Sequence, residues 1–240
     1  MQLDSKPKRL SPVHNQHQTL DAHFDIREGW LIPLVYTTSV EEVTVLQQTV
    51  GLIDISAWGK LMLKGINSSA VIGAYFGEAP TKSGVVREIQ SNQTLAAGLA
   101  PDEFLILTPP GAEKDLAISL EAEITSQGIF VSVIDLTSGL VGLSISGPKS
   151  TAVIRKLCAI PFNSREFPNL CVAQSSFAQV RGTIIHHDQG DSPAFDLFAD
   201  CSYGEYLWDT ILDAGREFGI QPVGWEAIGA SNPGFFTVNS

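Results

Sequence analysis

The chain has 240 residues, of which 44% are hydrophobic and 17% charged, the profile of a globular protein and not a disordered one. Its length suits one large domain or two small ones, burying roughly 70–75% of the unfolded surface. A net charge of −11 excludes a nucleic-acid-binding surface, which needs a Lys/Arg stripe; the basic cluster Lys6, Lys8 and Arg9 sits in a short, solvated N-terminal arm.

Residues 1–26 form that polar arm, with three of the five histidines. Ser39 and Glu42 have the spacing of a capping box and open a helix through about Thr49, stopped by Gly51. Residues 60–64 alternate as a strand with Leu61 and Leu63 on one face, and a helix follows over Ser68–Phe76. Strands are expected at Val85–Ile89 and Phe104–Leu107. Beyond the Pro109-Pro110-Gly111 break, a helix over Ala112–Ser126 buries Leu116, Leu120 and Ile124, and Gly128 ends it. Phe130–Leu136 reads as a strand.

The same order then returns. Leu143–Ser146 is a strand, Pro148–Leu157 a helix with Pro in its first turn, and Val180–His186 and Phe195–Ala199 are strands. Ser202 and Glu205 make a second capping box for a helix through Phe218, stopped by Gly219. Setting Leu61–Ile72 over Leu143–Ile154 gives six identities in twelve, among them Gly65/Gly147, Ser68/Ser150 and Ile72/Ile154. The expected fold is therefore α+β, with two ferredoxin-like split βαβ units packed around a central cleft. The corresponding division is an arm over 1–26, units over 27–136 and 137–228, and a tail over 229–240. Such a cleft is a common ligand site.

The familiar catalytic signatures are absent: no phosphate-binding Gly-rich loop, no nucleophile elbow and no H-E-x-x-H. Thr137-Ser138-Gly139 reads as a turn. In His186-His187-Asp188 the neighbouring histidines point to opposite strand faces, so no metal site is expected. Cys158, Cys171 and Cys201 lie far apart with no C-x-x-C, which suggests reduced thiols. The first 20 residues hold no apolar core of a secretory signal, and no apolar run reaches the ~18 residues of a membrane span. The expectation is a cytoplasmic protein without membrane contact.

Gly29-Trp30-Leu31-Ile32-Pro33-Leu34-Val35-Tyr36 resembles the N-terminal signature of the glycine-cleavage T-protein (aminomethyltransferase) family. His17-Gln18-Thr19-Leu20-Asp21-Ala22, the run Thr49 to Ser56, Ser146-Gly147-Pro148 and Pro222-Val223-Gly224 are similar to further family segments in the same order. Leu99 to Leu105, Asp135 to Gly139, Cys158-Ala159-Ile160 and Cys171 to Gln174 resemble the gamma subunit of heterotetrameric sarcosine oxidase, a short relative. The resemblance implies a T-protein-like folate-binding fold without the C-terminal barrel, and a place in one-carbon metabolism.

It also implies tetrahydrofolate as the ligand. The family's acidic segment falls on Ser83 to Glu88 in one alignment, leaving Glu88 as the one carboxylate for a catalytic role; in another it falls on Asn92 and Gln93. Neither restores the family's aspartate. Gly190-Asp191 with Phe195-Asp196 corresponds to the acidic motif that pairs with the pterin edge, where a carboxylate accepts parallel N–H donors. Asp191, by that reading the folate acid, is equally a turn residue by its own type. Tyr36, Asn92 and Asp196 complete the candidate ligand-binding residues. Two functions follow: a tetrahydrofolate-binding aminomethyltransferase-like module, or a non-catalytic subunit that meets protein partners in a larger amine oxidase or one-carbon transfer complex.

Overall fold

The computed structural model describes residues 9–77, 79–80, 82–89 and 93–231. Three sheets organise the chain. The arm forms a small one, with β1 (Arg9–Leu10), β2 (His23–Arg27) and β3 (Trp30–Val35) in the order β1-β3-β2, and a short helix α1 (His14–Thr19). Helix α2 (Ser39–Gln48) and strand β4 (Val50–Asp54) then lead into the body.

The first unit runs β5 (Gly59–Lys64), α3 (Ser68–Phe76), β6 (Val86–Ile89), β7 (Thr94–Ala100), β8 (Glu103–Thr108), α4 (Glu113–Gln127) and β9 (Ser132–Asp135). Its sheet order is β6-β7-β8-β5-β9. The second runs β10 (Leu140–Ser146), α5 (Ser150–Leu157), β11 (Cys171–Phe177), β12 (Val180–His186), β13 (Ala194–Asp200), α6 (Gly204–Gly215) and β14 (Ile220–Pro222). Its order is β11-β12-β13-β10-β4-β14, the same plan with β4 inserted beside β14. A last helix, α7 (Trp225–Ser231), packs on α2 and β3.

The duplication is therefore present in the topology, with one more strand per unit than the sequence suggested. Thr94–Ala100 is rich in Ala and Gly and shows little alternation. Cys171–Phe177 has polar and small residues at its edge, so neither gave a strand signal. The matched residues behave alike: Leu61 and Leu143, Val71 and Val153, and Ile72 and Ile154 are all buried. Gly65 and Gly147 both hold positive φ, +143° and +125°, and a Cβ on either would press against backbone carbonyls of Phe130 or Thr49.

Alternation along the strands builds four layers. Leu143, Ile145, Ile184, Phe195 and Leu197 face α5 and α6, while Leu61, Leu63, Phe104 and Ile106 face α3 and α4. The opposite faces, with Ile53, Leu95, Leu105, Leu107, Val172, Ile185 and Phe198, meet as one apolar layer joined by Trp58, Val45 and Val223. These side chains form the junction between the two units. Among the described residues no helix is long and apolar enough to cross a membrane.

Both predicted capping boxes are displaced. Thr38 caps α2, its Oγ1 accepting from Glu41 N–H, and Asp200 accepts from Ser202 N–H before a 3-10 turn that leads into α6. Glu42 turns inward instead: its buried carboxylate accepts from Tyr36 N–H at 2.6 Å, Thr37 N–H at 3.0 Å and Gly224 N–H at 2.7 Å.

Candidate functional site

The chain passes between the two large sheets twice, from β4 to β5 through Ile55–Trp58 and from β9 to β10 through Leu136–Gly139. Lys60, fully buried, ties both crossings together. Its Nζ donates to Ser56 O at 2.8 Å, Trp58 O at 2.7 Å and Thr137 O at 3.1 Å, matching three acceptors to the three N–H bonds of an ammonium. Burial pushes its pKa down to about 7, against the opposing pull of Asp54, Asp135 and Glu113, while Arg9 adds to the lowering. Nothing in the sequence marked this lysine; it sits on the polar-looking phase of a strand whose alternate residues, Leu61 and Leu63, drew attention.

Beside it lies a buried chain of Tyr36, His17 and Asp54. Tyr36 Oη is 2.9 Å from His17 Nδ1, and His17 Nε2 is 2.9 Å from Asp54 Oδ2. The tautomer with a proton on Nε2 satisfies every atom: Nε2–H donates to the carboxylate and Nδ1 accepts from the phenol. Burial and the nearby carboxylates raise the Tyr36 pKa, so the hydroxyl keeps its proton. For Asp54, burial alone would raise the pKa, but donors from His17, Ser11 and Ser56 outweigh it and hold the group low. Trp225 Nε1 donates to Asp54 O at 2.8 Å. Three segments quoted for the family resemblance, and the residue just after a fourth, thus converge on one point, a convergence their sequence separation concealed.

Asp196 lies on the other side of the six-stranded sheet, facing the layer between the sheets in alternation with Phe195 and Leu197. It is fully buried. Ser144 Oγ donates to its Oδ1 at 2.6 Å, and His187 Nδ1 stands 3.8 Å from Oδ2, beyond hydrogen-bond reach. Oδ2 makes no hydrogen bond among the described residues. A buried carboxylate oxygen left in that state is costly, and it suits a ligand that brings N–H donors.

The remaining predicted residues are dispersed. Tyr36 packs on the helix side of the sheet, away from Asp196. Glu88 is exposed on the edge strand β6. Asp191 is exposed at the tip of a two-residue turn closed by Gln189 N–H to Ser192 O and the reciprocal bond. Asn92 lies outside the described residues. His186 and His187 do point apart: His186 stacks on Phe195 and bonds Phe167 O and Asp188, while His187 approaches Asp196. Two cavities, of about 380 Å³ beside Arg9, Trp30 and Ser138 and about 180 Å³ beside Tyr75 and Thr108, contain none of the predicted residues.

A duplicated α+β body with an inserted strand and crossings pinned by buried polar groups defines a two-unit α+β fold. The family model described as the GCVT N-terminal domain matches residues 13–231, and the chain belongs to that family. It is 24% identical to an aminomethyltransferase of Moorella thermoacetica, over 90% of this chain and 61% of that protein. It is also 24% identical to the sarcosine oxidase subunit alpha of Corynebacterium sp. (strain U-96), over 92% of this chain and 25% of that one. Among solved structures it resembles the glycine cleavage system aminomethyltransferase T from Bartonella henselae, with a TM-score of 0.76 at 18% identity, covering 92% of this chain and 61% of that one. A heterotetrameric sarcosine oxidase from Corynebacterium sp. U-96 matches with a TM-score of 0.67 at 22% identity, over 90% of this chain and 99% of the matched chain. The chain thus spans 57–61% of the length of these curated aminomethyltransferase relatives, and over these residues the expected T-protein-like fold is the one present.

Proposed function

We propose that this protein binds a tetrahydrofolate-type ligand between its two large sheets, with Asp196 as the acid that meets the pterin's N–H groups, in a cytoplasmic one-carbon metabolism role. The carrying observation is Asp196 Oδ2, buried and without a hydrogen bond among the described residues, within a family whose relatives include aminomethyltransferases. A carboxylate presents two oxygens in one plane, and a pterin offers neighbouring N–H donors in one plane. The pairing would replace the hydrogen bond that Oδ2 lacks and offset the cost of burying it. The apolar side chains around it, Ile185, Val172 and Phe198, are suited to the faces of a flat ring. The proposal concerns binding. Glu88, exposed on an edge strand, gives no reason to extend it to aminomethyl transfer.

Titration calorimetry with tetrahydrofolate tests this. Binding is expected for the native chain and a loss of at least about tenfold for Asp196→Asn, whose amide turns N–H groups toward the ligand's own donors. An absence of heat at about millimolar ligand, or equal affinity in the variant, rejects the reading.

A second reading, the non-catalytic subunit, is supported by the match to nearly the full length of a chain from a heterotetrameric oxidase. Native purification from its own cells would then yield a stoichiometric complex with an oxidase or transferase subunit. Recovery of the chain alone rejects it.

A further inference from the structure

Strand β9 ends the five-stranded sheet, and no strand pairs with its outer edge among the described residues. Leu136 N–H donates to Lys60 O, so antiparallel alternation makes Met62/Ile134 and Lys64/Ser132 the hydrogen-bonded pairs. The backbone N–H and C=O groups of Val133 and Asp135 therefore point outward, away from β5. Large apolar side chains crowd the same edge: Phe130 is 89% exposed, Ile66 74% and Ile134 44%. Ile66 and Phe130 belong to touching loops, since a Cβ on Gly65 would stand 2.6 Å from Phe130 O. An open strand edge flanked by exposed apolar side chains is a template for strand addition.

We propose that β9 is a self-association edge, pairing antiparallel with β9 of a second copy of this chain about a two-fold axis through Ile134. The register follows from which groups point outward. Val133 of each copy faces Asp135 of the other, and their outward N–H and C=O groups supply four hydrogen bonds. Ile134 meets its own counterpart in the close, non-hydrogen-bonded position, which favours a branched apolar pair. The charges accept this register: Asp135 stands opposite Val133, so no like charges face each other across the seam although each copy carries −11. A register centred on Asp135 would bring the two carboxylates together, and one centred on Val133 would set Asp135 opposite Val131, outside the strand, with two hydrogen bonds inside the seam in place of four. The two-fold closes the pair and spends the open edge of both copies, so a dimer forms and not a filament. Phe130 and Ile66 add the apolar area that a four-residue seam alone lacks. This inference does not rest on the ligand reading.

Sedimentation velocity on the full chain tests it. A reversible dimer is expected, and Ile134→Lys, which sets two ammonium groups face to face, should raise the dissociation constant at least about tenfold. Ile134→Cys should form a disulfide between copies through residue 134 under oxidation, because side chains at that kind of pair lie about 4.5–5.5 Å apart. Ile134 is half exposed, and an unchanged urea midpoint for each variant confirms an intact fold. A native chain that stays monomeric at about 100 µM, or a dimer indifferent to both substitutions, overturns the proposal.

Discussion

Glu42 offers the most direct test of how this fold is held. Its carboxylate gathers three backbone N–H groups from two distant segments, the end of β3 and the second residue past β14. Each hydrogen bond to an ionised group contributes about 1.5–3 kcal/mol net, and a buried donor left unmade costs about 1–3 kcal/mol. In Glu42→Gln the amide oxygen can still serve Tyr36 and Thr37, less strongly, while its NH2 faces the Gly224 N–H donor to donor. Losing one bond and weakening two gives a destabilisation of about 3 kcal/mol. Glu42→Ala strands all three donors and should cost about 5 kcal/mol. At a urea m-value near 3 kcal/mol/M, the Gln variant's midpoint falls by about 1 M with the slope unchanged. Ser39→Ala, at the cap position that the sequence suggested, should shift stability by less than about 0.5 kcal/mol, and Thr38→Ala by about 1 kcal/mol. A Glu42→Gln midpoint within about 0.3 M of native would refute the reasoning, and so would a Ser39→Ala loss larger than that of Thr38→Ala.

Other outcomes follow from the same contacts. A Cβ at Gly224 collides with the Leu34 carbonyl, so Gly224→Ala should cost at least about 3 kcal/mol or prevent folding, read from soluble yield and urea midpoint. Asp54 has a folded pKa below its ordinary 3.8, so its contribution is complete above that value and is lost as pH falls through the folded one; Asp54→Asn should flatten the acid limb of a stability–pH profile. Lys60 acts in the same sense at higher pH. With a folded pKa of about 7 against 10.5 unfolded, the unfolded chain binds more protons between the two values, so stability rises with pH across that window by at most about 1.4 kcal/mol per unit. Lys60→Met should remove that slope, and an unchanged slope in urea midpoints from neutral to alkaline pH would contradict the assignment.

The repeat was legible because it resides in local chemistry. A strand, a glycine with positive φ and a helix with buried Val and Ile must look alike wherever they occur, and Gly65/Gly147 and Ile72/Ile154 preserve that in both copies. The helices α3 and α4 were legible for the same reason, through caps and four-residue spacing. What stayed hidden depends on tertiary pairing. Thr94–Ala100 is a strand because β6 and β8 flank it, and its small residues let two layers approach. Val50–Asp54 reads as part of the first half yet pairs with β10 and β14 of the second. Glu42 carries a spacing that fits a capping box, but Thr38, one residue earlier, takes the cap and frees Glu42 to turn inward. Of the described candidate site residues, Asp196 alone is drawn into the layer between the sheets; Asp191, Glu88 and Tyr36 go elsewhere because a turn, an edge and the outer core claim them.

That distribution separates two things a family resemblance carries. His17, Tyr36 and Asp54 come from three of its motifs and Trp225 directly follows a fourth, and all are bonded to one another where the arm, the first crossing and α7 meet. Lys60 and Glu42, outside those motifs, perform the same task nearby. Each buries a charged or polar group whose loss would strand its partners, which makes the arrangement hard to change stepwise. Ligand chemistry has no such protection, because replacing an exposed acid such as Asp191 or Glu88 strands nothing. Asp196 differs from both groups: it is buried like the architectural residues but underbonded like a binding residue. Glu42 and Asp54 have both carboxylate oxygens satisfied, whereas Asp196 Oδ2 and Glu113 Oε2 do not; Glu113 opens α4 beside Gly59 and Thr108, while Asp196 faces the layer between the sheets, and that placement is the physical ground for proposing Asp196 as the ligand's acid.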